Sequence, residues 1–204
     1  MKLFYKPGAC SMAAHLILNE AGATFQLEKV DTEAGTTETG ASYANTNPRG
    51  YVPALQLANG EILTENVAVL QWLSEQLPGF ASNDNRASLD RYRQLELLSF
   101  LSSELHKAFG PYFSGLEYSD PEKATHARKL NAKIAQFDEL LSADSPFLMG
   151  DAFSVADAYA FVILNWTNFI GVSLSEWPKT EAYVSRIASR PAAQQTLKEE
   201  GLAA

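Results

Sequence analysis

The chain has a single cysteine, Cys10, in the turn Pro7-Gly8-Ala9-Cys10-Ser11. This turn joins a short β candidate, Lys2-Leu3-Phe4-Tyr5, to a helix candidate over Ser11 to Ala21. A thiol at a helix N-terminus faces unpaired backbone N–H groups and the positive end of the dipole, which favour an anion. A lowered thiol pKa follows as an expectation. The turn also lies at the C-terminal end of a parallel strand, where open α/β sheets bind ligands. The competing reading is a small buried hydrophobe. One cysteine allows no CxxC dithiol mechanism and no intrachain disulfide. One cysteine and three histidines also argue against a structural zinc site.

Other groups could join it. Val52-Pro53 directly precedes a strand. A proline there can be an edge feature, which spacing alone favours, or a cis turn that offers the Val52 backbone to an extended peptide. Thr64-Glu65-Asn66 reads as the cap of a helix with an acidic start. The same groups could hold an α-amino acid, with Asn66 on the carboxylate and Glu65 on the ammonium. On a long helix candidate, Leu95, Leu98, Leu101, Leu105 and Phe109 share one face at about 100° per residue. Ser99, Ser103, His106 and Gly110 share the adjacent face, either as a solvated stripe or as polar groups beside a cavity. Ser154-Val155-Ala156-Asp157 is a capping-box variant with a structural role. His15 and His126 read as surface or satisfied histidines. Phe109, Phe113, Trp166 and Phe169 read as core, with some free to line an apolar pocket.

The elements that must position these groups alternate in type over the first eighty residues. Phe25 to Val30 is a second strand. Asp31 to Asn47 is loop with one short helix near Ala41 to Asn45. Ala54 to Leu57 and Glu61 to Leu63 flank Asn59-Gly60, a two-residue hairpin signal. Val67, Leu70, Leu73 and Leu77 mark an amphipathic helix over Glu65 to Leu77. The order βαβαββα gives a mixed four-stranded sheet, with strands 1 and 2 parallel and strands 3 and 4 an antiparallel hairpin. Residues 81–86 sit in a Pro-, Gly-, Ser- and Asn-rich linker. After it come only helices, over 87–113, 121–141, 154–169, 178–188 and 191–199, with Pro121, Pro178 and Pro191 placed for first turns. The predicted fold is thus an α/β domain over 1–80 and an all-α domain over 87–204.

Composition bounds the partners. The 204 residues are 46% hydrophobic and 20% charged, enough for a real core. The net charge of −8 argues against nucleic acid, which needs a basic face. The longest uncharged apolar run, around Ala158 to Leu164, is too short for a bilayer. The N-terminus has no signal-like apolar core, so a cytoplasmic location is expected.

These pieces together resemble a cytosolic glutathione transferase of the bacterial beta class. The resemblance runs through Met1 to Ser11, Asn47-Pro48-Arg49-Gly50-Tyr51-Val52-Pro53-Ala54-Leu55, Leu63 to Leu70, Glu104-Leu105-His106-Lys107 and Phe153 to Tyr159. It implies a thioredoxin-like N-terminal domain, a helical C-terminal domain and a homodimer. No prosthetic group is implied; glutathione is the co-substrate and a small hydrophobic electrophile the second substrate. By this resemblance Val52-Pro53 is cis and the Val52 backbone pairs with the cysteinyl part of glutathione. Glu65 and Asn66 hold the γ-glutamyl end, and Cys10 lies against the sulfur. Ser99, Ser103, Glu104, Leu105 and His106 approach from the helical domain, some across the dimer interface. Cys10, His106 and Ser11 are the implied catalytic set, and Phe109, Phe113 and Trp166 the electrophile pocket.

Two positions depart from the class. Gly35 stands where a lysine near the glycyl carboxylate is common, leaving that end to another group such as Lys107 or without a partner. Asn66 stands where serine is usual and keeps a polar contact. Besides conjugation, the resemblance admits glutathione-dependent thiol–disulfide exchange through Cys10. The fold can also serve as a non-catalytic binding or dimerisation module.

Overall fold

The computed structural model describes residues 1–80 and 89–202. The expected linker over 81–86 and the first residues of the long helix lie outside the described residues.

Leu3 and Tyr5 of β1 (Lys2–Tyr5) point to one face of the sheet and Phe4 to the other, as the period of two requires. β1 pairs in parallel with β2 (Gln26–Asp31), Leu3 opposite Leu27. It pairs antiparallel with β4 (Ala54–Gln56), Leu3 opposite Leu55. β5 (Ile62–Thr64) closes that side. The expected four strands are five, because β3 (Thr36–Thr37) adds an antiparallel edge to β2 and gives the order β3-β2-β1-β4-β5. Two threonines carry no period that a sequence pattern could register. The expected helix near Ala41 to Asn45 is one 3₁₀ turn, Tyr43–Asn45. The β4–β5 turn is wider than two residues: the Leu57 N–H donates to the Glu61 carbonyl at 2.8 Å, and Gly60 closes the loop at φ +87°.

α1 (Met12–Glu20) is buried from Met12 to Leu18, polar His15 included. It packs against α2 (Asn66–Gln76), the C-terminal α9 (Pro191–Glu199) and α6 (Val155–Asn165), whose Val155 to Leu164 are all buried. A helix apolar on every side belongs in the middle of a core. α1 and α6 are therefore the shared centre of one apolar cluster that joins Leu3, Leu55 and Leu70 to Leu105, Phe137 and Phe161. A smaller cluster of Phe4, Val30, Tyr43, Val52 and Ala54 covers the opposite face of the sheet. Polar ties reinforce the junction: the Gln94 amide donates to Gln71 and Ser74 at 3.1 and 3.0 Å, and Arg190 pairs with Glu20.

The long helix expected up to Phe113 is not uniform. α3 (Leu89–Phe100) leads into a π turn over Leu101–Leu105, then α4 (His106–Phe109) and a 3₁₀ turn over Gly110–Phe113. The His106 N–H reaches back to the Leu101 carbonyl, five residues away. This wide turn breaks the 100° register between Ser99 and His106. α5 (Asp120–Leu140), the short α7 (Thr167–Ile170) and α8 (Pro178–Ala188) complete the helical half. No described helix is long and apolar enough to cross a membrane.

Candidate active site

A cavity of about 490 Å³ lies between the β1–α1 loop and the helical half. The loop contributes Lys6, Pro7, Gly8, Ala9 and Cys10. The opposite wall is His106, Gly110, Phe113, Trp166, Phe169 and Leu202. Phe113 and Phe169 are each about half exposed, so two aromatic faces stand at the mouth. Phe109, expected in this wall, is fully buried and does not line the cavity; its ring meets that of Trp166 edge-on at 5.6 Å. A second cavity of similar size, between residues 141–146 and α8, contains none of the expected site residues.

The loop that carries Cys10 is fixed from several directions. Ser11 is fully buried, and its hydroxyl accepts from the Lys6 N–H and donates to the Lys6 carbonyl, both at 3.3 Å. Its side chain closes the loop and does not line the cavity, whereas its backbone N–H acts on the Cys10 thiol. The Gly8 N–H donates to Glu200 at 2.8 Å, and the Gly8 carbonyl accepts from Trp166 Nε1 at 2.7 Å. Gly8 sits at φ +72°, where a side chain would be strained and would meet Leu202. His15 is buried rather than superficial, bridging Glu199 at 2.7 Å and Glu200 at 2.9 Å. Nothing local in the sequence pairs residue 8 with residue 200; the contact exists only because α9 lies against α1. Trp166→Phe removes the donor to Gly8 and shrinks the buried indole to a phenyl ring. A stability loss of about 2–4 kcal/mol is expected, read as a lowered melting temperature, because a carbonyl loses its partner and the smaller ring leaves a void.

Cys10 does not have the lowered pKa expected from its helix position. Burial pushes the thiol up to about 12, and this outweighs the downward pull of the Cys10 and Ser11 N–H groups. Glu65 adds to the rise and Lys107 opposes it. The sulfur donates to the Val52 carbonyl at 3.5 Å, so in the free protein the thiol is an S–H donor. The Val52–Pro53 peptide is cis.

His106 faces the cavity and bonds through Nδ1 to the Tyr159 hydroxyl at 2.8 Å. Its ring stands edge-on to Trp166 at 4.8 Å. Burial first, and Lys107 second, lower its pKa to about 4. His106 is thus neutral at pH 7 and supplies hydrogen bonding, not the positive potential expected of it. Burial likewise raises Tyr159, whose phenol senses Cys10, Asn66, Ser102 and Glu65 around it. Through its hydroxyl Tyr159 ties α6 to His106 at the start of α4. Sequence reasoning met Tyr159 only as the end of the Phe153 to Tyr159 segment, and it missed Ser102 because the π turn hides the register.

At the N-terminus of α2, Glu65 has φ +69°, the only positive value among described residues other than glycine. Asn66 is buried, and neither its amide nitrogen nor its oxygen has a partner at full hydrogen-bond distance, although its side chain lies near enough to the Tyr159 hydroxyl to pull that phenol's pKa down. A buried amide so loosely paired is costly unless a ligand completes it.

Residues 8–76 match the family model "Glutathione S-transferase, N-terminal domain", and residues 100–191 match "Glutathione S-transferase, C-terminal domain". The chain is also 39% identical to glutathione S-transferase GstA of Escherichia coli O157:H7 over 202 residues, covering 99% of this chain and 100% of the relative. The chain belongs to the glutathione S-transferase family. Among solved structures it is similar to a sphingomonad glutathione S-transferase complexed with glutathione, at 46% identity, TM-score 0.91 and full coverage of both chains. It is also similar to a bacterial beta class glutathione S-transferase of Sphingomonas chungbukensis, at 44% identity and TM-score 0.91, covering 99% of this chain and 100% of that one. The mixed sheet with its helical partner is the thioredoxin-like arrangement of this transferase family.

The remaining positions implied by the transferase resemblance divide sharply. Leu105 is fully buried in the core and does not line the cavity. Ser99, Ser103 and Glu104 are exposed and outside the cavity; the Ser103 hydroxyl donates to the Ser99 carbonyl at 2.8 Å, and Glu104 pairs with Lys133 at 2.8 Å. Gly35 occupies a left-handed turn at φ +67° with open space around it, and its carbonyl accepts from the Tyr43 N–H. Lys6 is turned toward Thr32 at 3.2 Å. Among the described residues, no cluster of His, Cys, Asp and Glu is arranged to hold a metal ion.

Proposed function

We propose that the protein conjugates glutathione to small hydrophobic electrophiles, with the peptide bound on the domain of residues 1–80 and the electrophile against the helical domain of residues 87–204. The observation that carries this is the cavity in which Cys10 of the β1–α1 loop shares a wall with His106, Phe113 and Trp166, with the buried Asn66 amide at the start of α2. Asn66 and the α2 N-terminus take the γ-glutamyl carboxylate, and Glu65 takes its ammonium. The cysteinyl backbone lies along Val52, and the sulfur rests between Cys10 and His106.

There the sulfur gives up its proton to solvent, and neutral His106 donates a hydrogen bond to the thiolate through Nε2. The thiolate attacks an electrophilic carbon in the cavity of Phe113, Trp166 and Phe169. A carbon–sulfur bond forms, and the leaving group departs with its electron pair. An apolar, water-poor wall strengthens that single hydrogen bond. Ser99, Ser103 and Glu104, exposed in one chain, suit contacts from a second copy in a homodimer. A cytoplasmic setting, where glutathione is reduced, fits the chemistry.

Two assays test this. The protein should be retained on immobilised glutathione and turn over a chlorinated aromatic acceptor faster than a glutathione mixed disulfide. A chain that washes through unretained is a scaffold; preference for the mixed disulfide makes it an exchange enzyme. The state of Cys10 already favours conjugation. With a pKa of about 12, only about one thiol in 10⁵ is ionised at pH 7. Iodoacetamide should therefore alkylate Cys10 at least about a hundredfold more slowly than free cysteine at pH 7, as followed by mass spectrometry. Alkylation at the free-thiol rate would restore the exchange reading.

A further inference from the structure

The segment Asn47-Pro48-Arg49-Gly50-Tyr51 is built as firmly as the site itself, yet the reading above uses only the Val52 that follows it. Asn47 is buried. Its side-chain oxygen accepts from the Arg49 N–H at 3.1 Å, and its amide donates to the Tyr51 carbonyl at 2.7 Å. The Gly50 N–H returns to the Asn47 carbonyl at 2.9 Å, with Gly50 at φ +78°. The buried Tyr43 hydroxyl donates to the same Tyr51 carbonyl at 3.1 Å. This cage fixes the backbone from which the Arg49 and Tyr51 side chains project.

Both side chains end on one atom. The Tyr51 hydroxyl donates to Glu65 Oε1, and Arg49 Nη1 donates to the same Oε1 at 3.2 Å. Among the described residues Oε2 carries no hydrogen bond. The carboxylate is more than half exposed, so without these donors it would sweep many rotamers. It also hangs from a backbone at φ +69°, a conformation that a glutamate does not adopt by itself.

We propose that Tyr51 is a positioning residue for the thiol peptide: with Arg49 it anchors Oε1 of Glu65 and leaves Oε2 turned to the ligand's α-ammonium. This rests on the reading that Glu65 takes that ammonium. Fixing the acceptor before binding removes an ordering cost from the complex. Arg49 alone does not suffice, because an exposed ion pair is loose and screened by salt. The tyrosine supplies a short, rigid, uncharged donor that does not repel the incoming ammonium.

The test uses the full chain as wild type and Tyr51→Phe, which removes one exposed hydroxyl. Dissociation constants are measured by calorimetry for glutathione and for glutaryl-cysteinylglycine, the same peptide without its α-amino group. Wild type should prefer glutathione. Tyr51→Phe should weaken glutathione about fivefold, the scale of one charge-assisted hydrogen bond partly offset by water. The variant should bind the deamino peptide within about twofold of wild type, and the loss should appear in KM and not in kcat. Equal weakening for both peptides, or none for either, overturns the proposal. If wild type itself binds the two peptides equally, the ammonium reading of Glu65 fails first and the role of Tyr51 falls with it.

Discussion

Asp157→Ala is expected to cost about 3–5 kcal/mol and lower the melting temperature by about 6–20 °C, at about 2–4 °C per kcal/mol for a chain of this size. Its two oxygens serve four donors in a buried site. Oδ1 accepts from the Leu148 N–H at 2.8 Å and the Tyr183 hydroxyl at 2.7 Å. Oδ2 accepts from the Ser154 N–H at 2.9 Å and the Ser154 hydroxyl at 2.5 Å. Alanine removes the acceptor and strands all four donors without water. The site also starts α6, the helix at the centre of the shared core, so the damage reaches both halves. Asp157→Asn should fall between the two. Its oxygen can still serve Leu148 and Tyr183, while its NH₂ faces the two Ser154 donors and cannot accept from them. Thermal melts followed by circular dichroism measure both variants. A loss under about 1 kcal/mol for Asp157→Ala would mean that the box is dispensable.

His106→Phe should lower kcat/KM about a hundredfold while leaving glutathione affinity within about threefold, the usual scale for one donor to a developing anion. Phenylalanine preserves the edge contact with Trp166 and removes both nitrogens. An unchanged kcat/KM would take His106 out of the reaction. The pH profile gives an independent reading. With a pKa of about 4, His106 stays neutral from pH 5 to 9, so wild-type kcat/KM should show no inflection near 6.5. The same depression makes stability depend on pH. In the unfolded chain the imidazole titrates near 6.5. Between pH 6.5 and 4 the unfolded state therefore binds the extra proton, and acid favours unfolding. The wild type should thus hold its full stability above pH 6.5 and lose on the order of 2–3 kcal/mol on acidification to pH 4. His106→Phe should flatten that part of the curve.

The elements were legible where the chain writes a period. Val67, Leu70, Leu73 and Leu77 foretold α2, and the prolines at 178 and 191 stand at the first residues of α8 and α9. The two-residue β3 was not legible, because it exists only through its pairing with β2. The π turn at Leu101–Leu105 was not legible either, because pattern reading assumes a uniform 100° step. That one turn misplaced the polar stripe: Ser99 and Ser103 were expected beside His106 and are exposed outside the cavity that His106 lines.

Sequence alone determined the family, the two-part architecture and the turn that carries Cys10, since each is written in local motifs and their order. The tertiary structure decided the chemistry of the groups. It made Cys10 a protonated thiol and His106 a neutral imidazole, because desolvation depends on what packs around a group and a linear motif does not contain that. It turned Ser11 inward and set Glu200 under Gly8. It also buried the Asn66 amide at the start of α2, with no protein partner at full hydrogen-bond distance.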